Sequence, residues 1–388
     1  MNPLRVTQLM LSNSNLKYIS QSYGRLGKLQ DQIMSGKKIT KPSDDPVVAM
    51  KGMRYRSQVV EVDQFKRNLN EGFNWMDNAD AALDETTQVL HRIRELVVQA
   101  SNDSYDADAR KNISKEIERL QEHIEALANS RVGENYIFNG TDTSEAPIKE
   151  NQFNMDFNTF LTNVATKAGD YVLSYKGQSY KFDDVQEING VDYHIFKAPS
   201  GDNLILDASS GVIKHEYEEE QKHMDGTPIS IKETINTDDL IVSNKNAVST
   251  NTQDVRIEVM KGVTIPINIR AQDAFSIELF GSLESIKKML TNPDTKGSEI
   301  TKALDSIDGF LGDIVSTRAE LGAQTNRAEM VQSRLLQQKV VAVQTLSDNE
   351  DIDFEQVIID LTIQESLHRA ALAAGARIIQ PTLMDFLR

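Results

Sequence analysis

The sequence predicts a mainly α fold: an elongated antiparallel helical bundle built from N- and C-terminal segments, with a central β-rich inserted domain. Three observations predict it. Apolar residues recur at heptad spacing over long stretches of both ends of the chain. That period vanishes between about Tyr136 and Ile269, where short apolar runs alternate with Gly, Asn and Asp turns. The two ends are alike in character, so each supplies the other's natural packing partner.

The first helix is expected over Leu4 to Ser35. Leu9, Leu16, Ile19, Tyr23, Leu26 and Ile33 fall on one stripe, and Ser12 and Gln30 fill its two polar gaps. Gly36 reads as a C-cap, followed by the basic loop Lys37-Lys38-Ile39-Thr40-Lys41-Pro42. Ser43-Asp44-Asp45-Pro46 opens a second helix, since Ser and Asp accept hydrogen bonds from the free N–H groups of a first turn and Pro is tolerated there.

From Val48 onward the periodicity is the strongest in the chain. One set runs Val48, Tyr55, Val62, Leu69, Met76, Leu83, Leu90, Val97. Its partner set runs Phe65, Gly72, Ala79, Thr86, Ile93, Ala100. Such a repeat specifies a bundle or coiled-coil helix, roughly 80 Å long at the standard rise per residue. A turn at 101–107 leads to a third helix carrying Ile113, Ile117, Leu120, Ile124 and Leu127. The short connection makes the neighbours antiparallel.

Within the insert, Tyr171–Tyr175, Tyr193–Phe196 and Val263–Ile267 read as strands, and Glu216 to Ile229 as a long loop. Helical pattern returns at Phe275–Leu290. It resumes after Asn292-Pro293 from Ile300 to Leu346, breaks at Ser347–Asp353, and ends with a helix over Phe354 to Ile379. The expected organisation has three parts. Terminal helices (1–42 plus 348–388) form an assembly domain. A helical core spans 43–135 plus 272–347. A β-rich, outward-facing insert occupies 136–271.

Composition narrows the function. Net charge is -16 and pI about 4.9, the wrong balance for a nucleic-acid binder. The charge is uneven: residues 1–60 hold ten Lys/Arg against three Asp/Glu, and 141–260 hold ten against twenty-one. With no cysteine, thiol catalysis, disulfides and Cys-ligated zinc are excluded. No apolar run approaches the ~18 residues of a membrane span, and the start lacks the apolar core of a cleaved signal peptide. Export without a cleaved signal is the expectation.

Catalytic constellations are scarce. His215-Glu216-Tyr217-Glu218-Glu219 starts like a zinc-protease motif, but Glu219 stands where the second His is required. His215, Glu219 and His223 would make at most a surface metal site, if that stretch were helical. No nucleophile elbow or phosphate loop is present. Catalytic, cofactor and metal sites are therefore expected to be none, and the chain is not read as an enzyme.

The terminal helices carry the functional expectation instead. Each is apolar on one stripe and joined to the bundle through breakers, and two helices paired only with each other make a thin core. Both are therefore expected to be loose in the monomer and to fold on assembly with copies or neighbours. The candidate interface residues are Leu9, Leu16, Ile19, Tyr23, Leu26, Ile33, Val357, Leu361, Leu372, Ile378, Phe386 and Leu387. Basic residues near the first break (Lys37, Lys38, Lys41, Lys51, Arg54, Arg56) are expected to meet acidic ones near the last (Asp348, Glu350, Asp351, Asp353, Glu355, Asp360).

The two ends together resemble a known family. Arg5-Val6-Thr7 with Met10, Asn15 and Leu16, then Gln32 to Ile39, then Ser43-Asp44-Asp45-Pro46, are similar to the amino-terminal signature of flagellar hook-associated protein 3, in the flagellin superfamily. Arg131 to Gly140 resembles the turn where that family leaves its helical core. Asp351 to Glu355 and Gln380 to Leu387 resemble its carboxyl end. Pro381, Met384 and the extra Arg388 depart from it.

The resemblance implies an extracellular structural subunit of the bacterial flagellum at the hook–filament junction, exported by type III secretion and needed for motility. Implied partners are a neighbouring junction protein, flagellin, copies of itself in a ring and a cytoplasmic export chaperone. The chaperone site is expected around Leu361, Leu367, Leu372 and Ile378. The alternatives are flagellin itself, a secreted enzyme in the insert, and a generic coiled-coil scaffold. Flagellins usually carry Ala-Asp-Asp-Ala-Ala-Gly where this chain has Ser43 to Val48.

Overall fold

A computed structural model describes residues 8–102, 105–149, 152–188, 190–222 and 228–379. The chain forms two compact units, one from its two ends (Met1–Lys66 with Gln332–Arg388) and one from its middle (Arg67–Val331).

The unit made of the two ends contains α1 (Gln8–Ser35), the first part of α2 (Pro46–Ala100), the last part of α7 (Gly297–Glu350) and α8 (Phe354–Ile379). Each helix boundary has a local cause. Gly36 takes φ +69°, a conformation that costs glycine little, and its N–H closes on Gln32 O at 2.8 Å. The Asp45 carboxylate accepts from the N–H groups of Val47 and Val48 and so caps α2. Asp353 caps α8 in the same way through Glu355 and Gln356.

The middle unit packs the rest of α2 and α7 with α3 (Ala107–Ala128) and α6 (Ile277–Thr291). Asp106 and Ser276 cap α3 and α6. Here the heptad stripe of α2 is buried: Leu69, Met76, Leu83, Leu90 and Val97, with Ala79, Thr86, Ile93 and Ala100. Buried positions on α7 in this unit are Ile300, Ile307, Leu311, Ile314 and Leu321. Arg318 bridges α7 to Asp80 (2.8 Å) and Asp84 (2.5 Å) of α2. Trp75 is buried and donates its indole N–H to Ile137 O at 3.3 Å. A hairpin of β10 (Arg256–Met260) and β11 (Val263–Pro266) packs on α2 at Gly72, where a Cβ would stand 2.6 Å from Ile257 Cδ1.

After a short antiparallel pair, β1 (Arg131–Val132) and β2 (Asn135–Tyr136), the inserted sheet has seven antiparallel strands: β3 (Tyr171–Tyr175), β4 (Gln178–Ile188), β5 (Val191–Lys197), β6 (Asn203–Asp207), β7 (Ile213–Lys222), β8 (Pro228–Thr234) and β9 (Ile241–Asn244). Their order is β8-β7-β6-β5-β4-β3-β9. One face buries Leu173, Tyr180, Phe196, Leu204, Leu206 and Ile213 under Phe160 and Val164 of α4 (Phe157–Lys167). On the other face α6 meets β3, β4 and β9 through small polar side chains. Ser179 Oγ bonds Ser282 Oγ (2.9 Å) and Glu278 O (3.1 Å), and Ser174 lies against Gly281.

Two expectations need correction. Residues 216–229 are not a long loop: β7 and β8 occupy most of that stretch, held by pairs such as Tyr217↔Ile231. The insert is not free of helix, because α4 starts at the Asp156 cap and turns Phe157, Phe160, Leu161 and Val164 to one side. Val263–Ile267 is a strand as expected (β11, Val263–Pro266), paired with β10 outside the seven-stranded sheet.

Candidate assembly surface

The two chain ends meet as a close antiparallel helix pair. Gly375 of α8 lies where a Cβ would come 3.2 Å from Asn15 Nδ2 and 3.4 Å from Ile19 Cδ1 of α1. Ser22, nearly buried, is the polar centre of the contact: Gln364 Nε2 donates to its hydroxyl at 2.9 Å, and His368 Nδ1 lies 3.2 Å from the same oxygen. The Tyr23 and His368 rings stand 6.0 Å apart. A small residue permits the approach, and the polar trio favours one register over a slipped one.

The helix breaks form a joint. Lys37 and Asp351 make an antiparallel bridge, with Lys38 N–H donating to Glu350 O (2.6 Å) and Ile352 N–H to Gly36 O (3.1 Å). Lys37 Nζ donates to Asp351 Oδ1 at 2.6 Å, and Arg56 pairs with Glu350 at 2.7 Å. Hydrogen bonds from Lys37 and Ser347 hold the Asp351 carboxyl below its usual range. Of the expected charge groups, Lys37 and Arg56 make these ion pairs with Glu350 and Asp351, and Lys38 donates to the Asp348 carbonyl. Asp353 instead serves as the cap of α8.

One partner helix does not cover either end. Ile19, Leu26, Ile33, Val357 and Leu361 are half-buried in the pair. Leu16, Tyr23, Leu367 and Leu372 stay exposed, Tyr23 by 72%. Ile358, Ile359 and Ile363 are exposed as well, so α8 is apolar on several sides. Met50, Met53 and Val60 on α2 and Leu336, Val340 and Val343 on α7 extend the exposed apolar surface of this unit. A helix apolar around its circumference is normally an interior helix. The backbones of Leu9 and Ile378 lie in α1 and α8, and Phe386 and Leu387 lie outside the described residues. Spacing did not single out Ser22, Gln364, His368 or Gly375, since small and polar residues carry no hydrophobic period.

The surface metal site considered above required a helix, and residues 213–222 are a strand instead. Residue 215 sits in strand β7, and His215 and Glu219 would be about 13 Å apart along a strand; His223 lies outside the described residues. His215 is buried instead, its Nε2 3.1 Å from the Tyr180 hydroxyl and its ring stacked on Tyr217. Among the described residues no group of three His, Asp or Glu side chains is placed to hold a metal ion. No helix among them is long and apolar enough to cross a membrane.

The paired chain ends thus leave apolar faces uncovered, as helices that pack further in an assembly do. Residues 6–143 match the bacterial flagellin N-terminal helical region. Flagellin B of Vibrio cholerae is 22% identical over 94% of this chain and 93% of its own length. Flagellin FlaB1 of Treponema pallidum is 33% identical, over 27% of this chain and 37% of its own. A solved structure from Vibrio parahaemolyticus, assigned as a flagellar hook-associated protein, superposes with a TM-score of 0.52 at 16% identity, covering 79% of this chain and 100% of that one. Residues 6–143 are thus similar to the flagellin N-terminal helical region, and the chain shares the fold of a flagellar hook-associated protein.

Proposed function

We propose that this protein is a structural subunit of the bacterial flagellum that forms the junction between hook and filament. The observation that carries the reading is the α1/α8 pair with its uncovered apolar flanks, joined to the end signatures quoted above. The pair contacts copies of the same chain in a ring and neighbouring hook-associated and filament subunits axially. Its interface comprises Leu16, Ile19, Tyr23, Leu26, Ile33, Val357, Leu361 and Leu372, with Leu9, Ile378, Phe386 and Leu387 at the helix ends and tail. The sheet domain faces outward. The chain leaves the cell through the flagellar export channel without signal cleavage and works as scaffold, not catalyst.

Before export the apolar faces need cover, and a cytoplasmic chaperone supplies it on α8 around Leu361, Leu367, Leu372 and Ile378. Undiminished chaperone binding after removal of 354–388 would refute that site.

Electron microscopy of cells lacking this chain, with an assay of flagellin in the medium, tests the junction role. Bare hooks with flagellin shed outside is the expected result. Normal filaments would overturn it. The second reading, flagellin itself, is favoured by the near full-length match to Flagellin B. Loss of filaments with no flagellin in the medium, or efficient self-polymerisation on filament seeds, would select it.

A further inference from the structure

We propose that Glu350 closes an electrostatic latch across the two helix breaks, so that α1 and α8 are held and released as one body. Glu350 is the last residue of α7, yet it is only 3% exposed. Its carboxylate reaches Arg56 Nη2 at 2.7 Å and Lys37 Nζ at 3.6 Å. Arg56 lies on α2 and Lys37 in the α1–α2 connection, so one side chain ties three segments. Its own carbonyl accepts from Lys38 N–H, and the reciprocal bond from Ile352 N–H to Gly36 O completes the bridge.

The space for that carboxylate exists because residue 52 is glycine. A Cβ there would lie 2.1 Å from Glu350 Oε1 and 3.0 Å from Cδ. Gly52 sits in the interior of α2, where glycine is normally unfavourable relative to alanine. The helix accepts this residue at the point where the carboxylate must lie flat against its backbone. A buried carboxylate between two cations loses much when one partner goes, because the remaining charge stays desolvated. The connections it joins have few apolar contacts of their own, being Lys37 to Asp45 on one side and Asp351 to Asp353 on the other. Neither can swing without breaking the shared bridge, so the two helices leaving the joint move together.

The test is amide exchange of the full chain, comparing wild type with Gly52→Ala, Glu350→Gln and Lys37→Met. Fluorescence of Trp75, buried in the middle unit, reports that the remainder is folded. Gly52→Ala discriminates most sharply, since alanine should strengthen an ordinary helix interior. The expected result is protected α1 and α8 in wild type, with protection of both falling together by about ten- to a hundred-fold in Gly52→Ala and Glu350→Gln. Lys37→Met, at the more distant of the two cations (3.6 Å against 2.7 Å for Arg56), should give a smaller loss in both helices. The latch is overturned if α1 and α8 are unprotected in wild type, if only one of them loosens, or if exchange rises only in residues 45–56 and 344–352. Unchanged or increased protection in Gly52→Ala overturns it equally.

Discussion

Gly177 turns the corner between β3 and β4 directly against Ala303: at φ +77° a Cβ on Gly177 would stand 2.4 Å from the Ala303 Cβ. The turn is keyed between two helices. Ser285 Oγ of α6 accepts the Gly177 N–H at 2.9 Å, and Lys176, itself at φ +49°, reaches Glu299 of α7 at 2.8 Å. Gly177→Ala meets both a disfavoured backbone and an occupied space. We expect a loss of about 2–4 kcal/mol, read as a lower denaturant midpoint by Trp75 fluorescence. A change under about 0.5 kcal/mol would mean that the turn gives way freely.

Acid should weaken the sheet domain through its buried histidines. Burial lowers the pKa of His215, outweighing the Asp202 carboxylate 4.0 Å away, and burial also lowers that of His194. With a depressed folded pKa, the unfolded chain takes up protons first as pH falls below about 6.5. Stability is therefore full above that value and declines as pH falls toward the folded pKa values. Thermal melts of the wild type between pH 8 and 5 should show this fall. His215→Phe should flatten it in part, leaving the His194 contribution. A wild-type melting temperature that rises between pH 7 and pH 5 would contradict the assignment.

The α1/α8 pair depends on a small residue at its closest approach. Gly375→Leu would drive a branched side chain into Asn15 and Ile19. Overpacking of this kind costs about 1–3 kcal/mol. Complementation of a deletion strain on swim plates should fail or weaken with Gly375→Leu, while Gly375→Ala, whose Cβ meets nothing closer than 3.2 Å, should swim nearly normally. Equal motility of both would show that the helices need not approach this closely.

Where one side chain type repeats at a fixed interval, the sequence was informative. The Phe354–Ile379 helix and the Tyr171–Tyr175 strand have the bounds that their patterns predict. The α2 heptads are buried from Leu69 onward, as bundle positions should be. Failures came where the period was short or the residues polar. Helix α4 spans only three turns and offers four apolar positions. Strands β7 and β8 are rich in Glu and Lys, so their alternation is hidden although the backbone pairs. The Ser174, Ser179, Ser243 and Ser282 contacts under α6 could not be read at all, because close approach of small hydroxyls leaves no hydrophobic pattern. At the assembly surface, spacing found the helices but not the partition of their faces. Ile19, Leu26 and Ile33 are half-buried, whereas Leu16 and Tyr23, on the same stripe, stay exposed.

The uncovered flanks of α8 also bear on what a melting experiment will report. Cover supplied by another molecule enters stability through mass action, so the unit of chain ends should melt at a temperature that climbs with protein concentration. The middle unit has closed its own core around Leu83, Ile93 and Phe280 and should melt at the same temperature in dilute and crowded solution. One polypeptide would thus carry two thermal transitions, the first a gauge of how many neighbours are present and the second indifferent to them.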